Sequence, residues 1–69
     1  MRKRLVFSEC EHDGDLERYK GDIAKSGGLI LDATIDYESE ECDIVIDCED
    51  WEQFKNKFSM TESSDFRIL

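Results

Sequence analysis

Apolar residues recur along this chain at two periods, one strand-like and one helical. The segment RLVFSECE, residues 4–11, sets β-prone Leu5, Val6 and Phe7 between charged ends, which predicts a first strand near 4–10. From Asp13 the period becomes helical: Leu16, Tyr19, Ile23 and Ala24 share one face, with Asp13 or Asp15 as N-cap and Gly27-Gly28 as the stop, so a helix is expected near 15–26. Gly21 weakens that helix by about 0.5–1 kcal/mol relative to Ala. Strict alternation then returns. Leu29, Leu31, Ala33, Ile35 and Tyr37 interleave with Ile30, Asp32, Thr34, Asp36 and Glu38, predicting a strand over 29–38.

A polar turn, ESEE, separates this strand from a second of the same kind over 42–48, in which Cys42, Ile44, Ile46 and Cys48 alternate with Asp43, Val45 and Asp47. Asp50 with Gln53 three residues on is a capping box, and Trp51, Phe54 and Phe58 continue a helical face through 51–58. After the polar stretch TESSD, the closing residues FRIL can add a short strand. The order β-α-β-β-α-β predicts an α+β, ferredoxin-like two-layer sandwich in one domain, 1–69: an antiparallel sheet with two helices on one face. In that arrangement Leu29, Leu31, Ala33, Ile35, Tyr37, Cys42, Ile44, Ile46 and Cys48 point at Leu16, Ile23, Phe54 and Phe58.

Composition adds one strong constraint. The chain has 18 acids against 9 Lys and Arg, a net charge of −9, yet four Phe, two Tyr and a Trp supply a core that a disordered acidic tail would lack. No apolar run reaches the roughly 18–20 residues of a membrane span, and MRKRLVF turns polar at Ser8, so a cytoplasmic protein without a membrane partner is expected. Three cysteines, an odd number, suit a reducing compartment. Cys42 and Cys48 stand roughly 20 Å apart along one strand and cannot share a zinc ion with His12. No cofactor is called for. Cys10 and His12 provide a thiol and a base by composition, but no Gly-rich oxyanion or phosphate loop accompanies them, so no enzyme is expected.

The charge is also segregated. In DATIDYESEECDIVIDCED, residues 32–50, nine carboxylates occur with no Lys or Arg. By strand alternation Asp32, Asp36, Glu38, Asp43 and Asp47 fall on the sheet face away from the helices, with Glu40 and Glu41 in the turn. A turn at Ser39-Glu40 would set Asp36 opposite Asp43 and Asp32 opposite Asp47, a repulsive arrangement that stability alone disfavours. A generally acidic surface would spread its carboxylates over the whole chain; a solubility device for an exposed hairpin is a second explanation. Chelation of Ca²⁺ or Mg²⁺ is a third, although no Gly-bearing loop of EF-hand spacing is present.

Carboxylates at i and i+2 of a strand lie about 6.6 Å apart, near the step between successive phosphates, and adjacent strands add a second row. Such a face imitates a nucleic-acid backbone and is disfavoured for binding nucleic acid itself. The expected partner is a basic nucleic-acid-binding protein or complex, met through Asp32, Asp36, Glu38, Glu40, Glu41, Asp43 and Asp47, with the chain itself a monomer or weak homodimer. In size, in the segregated acids of DATIDYESEECDIVIDCED and in lacking a catalytic signature, the chain resembles the small acidic anti-defence proteins of bacteriophages, of the anti-CRISPR and anti-restriction kind. The resemblance implies a nucleic-acid-mimic inhibitor of a host nuclease or surveillance complex. The alternative is an acidic adaptor that meets a basic protein with no nucleic acid involved.

Overall fold

Alternation on the second hairpin strand is obeyed without exception. In the computed structural model, which describes residues 1–63 and 66–69, Cys42, Ile44, Ile46 and Cys48 are buried while Glu41, Asp43, Val45 and Asp47 lie on the other face. The elements are β1 (Arg2–Phe7), α1 (Asp13–Lys25), β2 (Leu29–Asp36), β3 (Glu41–Asp47), α2 (Trp51–Phe58) and β4 (Arg67–Ile68). They make a small α+β structure, a four-stranded antiparallel sheet in the order β2-β3-β1-β4 with two helices. Of the stretch TESSD, Ser64 and Asp65 lie outside the described residues.

The core joins Leu5 and Phe7 of β1 and the inward row of β3 to Tyr19 and Ile23 of α1 and Phe54 and Phe58 of α2. Aromatic contacts knit it together: Phe58 stacks on Phe54 at 5.3 Å between centroids and meets Phe66 edge-on at 5.3 Å, and Phe7 stacks on Tyr19 at 4.2 Å. Trp51 is half-buried beneath the ammonium groups of Lys3 and Lys55. No helix among the described residues is long and apolar enough to cross a membrane.

Several boundaries and faces differ from the sequence expectation. β1 begins at Arg2 and ends at Phe7, because its pairing with β3 runs from Arg2↔Asp47 to Phe7↔Cys42 and Ser8 leaves the ladder. α1 starts at Asp13 and its N-cap is His12, not Asp13 or Asp15; Asp15 instead accepts a bond from the Glu11 N–H at 3.0 Å. At its other end Gly27, at φ +96, and Gly28 return their N–H groups to Ala24 and Ile23, the Schellman pattern that ends a helix cleanly. α2 is capped as expected, the Asp50 carboxylate accepting from Gln53 N at 3.1 Å.

The main departure is in β2. Its register slips between Ile30 and Asp32, a β-bulge that puts Leu31 and Asp32 consecutively between the core-side residues Ile30 and Ala33. Leu29 and Leu31, expected in the core, are therefore 63% and 43% exposed, and Ile30 takes their place. Tyr37, also expected inside, is 59% exposed in the turn beyond the strand. The turn spans residues 37–40 rather than Ser39-Glu40 alone and sets a different register, so that Asp36 faces Glu41, Thr34 faces Asp43 and Asp32 faces Val45; beyond the bulge Leu29 faces Asp47. The expected Asp36–Asp43 and Asp32–Asp47 oppositions do not form.

Candidate acidic interface

β3 lies inside the sheet, and its outward carboxylates are held beside cations from its neighbours. Arg4 on β1 directs Nε to both carboxylate oxygens of Asp43, at 2.9 and 2.7 Å, and Nη2 to Oδ2 as well. Arg67 on β4 reaches over β1 to the Glu41 carboxylate. The ammonium of Met1 sits 2.8 Å from Asp47 and holds that carboxyl below the usual carboxylate range. Asp43 in turn keeps the Arg4 guanidinium more firmly protonated. These exposed pairs contribute little stability each. Their larger effect is to neutralise the middle of what the sequence presents as a continuous acidic face.

The remaining carboxylates gather at one margin. Asp32 and Asp36 on β2, with Glu38 and Glu40 in the turn, have no Lys or Arg within ion-pair distance among the described residues. Asp36 also shapes the turn, its Oδ1 accepting from Glu38 N at 3.0 Å and Ser39 N at 3.4 Å. Glu40 takes the left-handed conformation, φ 58, and its carbonyl accepts from Cys10 N at 2.9 Å. The Tyr37 hydroxyl donates to Asp13 at the start of α1, which raises the tyrosine pKa. Of the seven expected site residues, Asp32, Asp36, Glu38 and Glu40 lie along β2 and the turn without an ion-pair partner among the described residues, whereas Glu41, which faces Asp36, and Asp43 and Asp47 are each paired with a cation.

The other chemically capable groups do not converge. His12 is 71% exposed, with Nε2 3.7 Å from Asp15. The Cys10 thiol is buried in the core with Cys42, and burial pushes both thiols up in pKa, Cys42 the more strongly. Cys48 is buried near Met1, its thiol donating to the Met1 carbonyl at 3.7 Å. Among the described residues no group of three or more His, Cys, Asp or Glu side chains is placed to hold a metal ion. A hollow of about 520 Å³ opens between the end of β3 and the start of α2 and includes Asp47, Gln53 and Lys57, away from the hairpin turn.

Arg4 and Arg67 are the residues the sequence reading passed over. A signal for one existed: Arg2 and Arg4 alternate with Leu5 and Phe7 in the sense that puts them on the same face as the β3 acids once β1 lies beside β3. No protein-family model, curated protein or solved structure matches this chain.

Proposed function

We propose that this chain is a non-enzymatic acidic binding protein that sets the free carboxylates of β2 and the hairpin turn against the basic groove of a nucleic-acid-binding protein and excludes nucleic acid by competition. One observation carries the reading: Asp32, Asp36, Glu38 and Glu40, along β2 and the turn, make no ion pair among the described residues, whereas the β3 acids are already neutralised. Asp32 and Asp36, on one face of a strand, are separated by about 13 Å, close to two steps of a phosphate backbone. Strong salt dependence and fast association would follow from such a contact. The partner class that the anti-CRISPR and anti-restriction resemblance implies, a host nuclease or surveillance complex in the cytoplasm, has grooves of this kind.

The scaffold supports this use. We read the antiparallel order β2-β3-β1-β4, with each helix following an inner strand, α1 after β1 and α2 after β3, as a ferredoxin-like βαββαβ sandwich, an arrangement that leaves one sheet face open. The adaptor alternative gains from the pairing of Arg4 with Asp43 and Arg67 with Glu41, since these remove the second row of a phosphate-like lattice. Displacement separates the two. Titrated into a captured partner loaded with a labelled oligonucleotide, a mimic releases the label; an adaptor binds and leaves the label in place.

A further inference from the structure

β2 is the longer of the two edge strands, and one backbone edge between Leu29 and Asp36 has no strand beside it among the described residues. Its two rows of side chains differ in chemistry. On the core side, Ile30, Ala33 and Ile35 are only half-buried, although Ile46, Ile44 and Cys42 opposite them on β3 are fully buried. The core therefore ends at this edge in apolar surface that another strand would cover. On the opposite side Asp32 and Asp36 flank Thr34 and form no ion pair among the described residues, Arg4 and Arg67 on the same face being held by Asp43 and Glu41. We propose that the β2 edge accepts an extended segment of a partner protein in which apolar residues alternate with Lys or Arg, added to the sheet as a new strand. Its apolar side chains continue the row of Ala33 and Ile35, and its cations lie over Asp32 and Asp36.

The charges choose the occupant. A second copy of β2 on this edge would bring Asp32 and Asp36 close to the same acids of its twin, in a chain of net charge −9. The bulge at Leu31 breaks the regular ladder in the first half of the strand, so the usable edge runs from Asp32 to Asp36. This inference rests on the reading above that the unpaired acids form the partner surface, and it specifies what the partner presents there.

The probe is a short synthetic peptide alternating Val and Lys, titrated into the full isotope-labelled chain and followed by amide exchange and cross-strand proton contacts. Binding is expected with slowed exchange and new backbone contacts confined to residues 32–36, lost when the peptide's backbone amides are N-methylated and weakened at least about tenfold by Asp32→Lys/Asp36→Lys. Equal binding of the N-methylated peptide would overturn strand addition while leaving the acidic surface as a partner site. Failure of the unmethylated peptide to bind would overturn this inference, the displacement assay judging the broader reading on its own. Concentration-dependent dimers that protect the same amides without peptide would make a second copy the occupant and overturn it too.

Discussion

Arg4 spans from β1 to Asp43 on β3, its Nε within 2.9 Å of both oxygens of a carboxylate that the linear sequence presents as one of an unbroken acidic series. The pair decides which acids are available for a partner. It also sets opposite expectations for two substitutions that look equivalent in sequence.

Asp43→Lys replaces the acceptor with a cation beside Arg4, and should lower stability by about 0.5–1 kcal/mol. Asp36→Lys sets a cation opposite Glu41 but loses the bonds from Glu38 N and Ser39 N, so its net effect should stay within about 0.5 kcal/mol. Urea midpoints of the two variants measure the difference. Equal midpoints would mean that the Arg4–Asp43 pair contributes nothing.

Two glycines give a second contrast. A methyl group at Gly21 would meet nothing within 4 Å, so Gly21→Ala should stabilise α1 by about 0.5–1 kcal/mol. At Gly28 the same methyl would lie 2.7 Å from Ile23 Cγ2 and 3.0 Å from Phe54 Cε2, both in the core, so Gly28→Ala should destabilise by roughly 1–3 kcal/mol. Thermal melts should move in opposite directions.

Acid should weaken the fold partly through Asp15. The Glu11 N–H donates to its carboxylate and holds its pKa below the usual value. Because the folded pKa is the lower one, the stabilisation is complete above the unfolded value of about 4 and disappears as pH falls through the folded value. Asp15→Asn should therefore show a shallower loss of stability below about pH 4, with little change in slope between about pH 5 and 8. Denaturant titrations across that range check it; an unchanged acid limb would remove Asp15 from the account.

The parts of this fold legible in the sequence are those governed by local chemistry. Cys42, Ile44, Ile46 and Cys48 follow strand period without interruption, Asp50 and Gln53 form a cap within one turn, and Gly27-Gly28 stop a helix because Gly27 takes a positive φ. The bulge at Leu31 was hidden because Leu29, Ile30 and Leu31 are all apolar, so either alternation fits until tertiary pairing selects one. The division of the acidic face was hidden for a different reason. Arg4 and Glu41's partner Arg67 meet the hairpin only through pairing between strands far apart in sequence, which no local pattern encodes.

The central claim is that the unpaired acids of the β2 edge, rather than acidity in general, exclude nucleic acid from a basic groove. Oligonucleotide displacement from the captured partner by three proteins tests it most directly: the original chain, Asp32→Lys/Asp36→Lys, and Asp43→Asn, each first shown to be folded. The account predicts that the double variant competes at least about tenfold less well and with a shallower salt dependence, while Asp43→Asn competes within about twofold of the original. A double variant that displaces the oligonucleotide as well as the original chain, at every salt concentration, would contradict it.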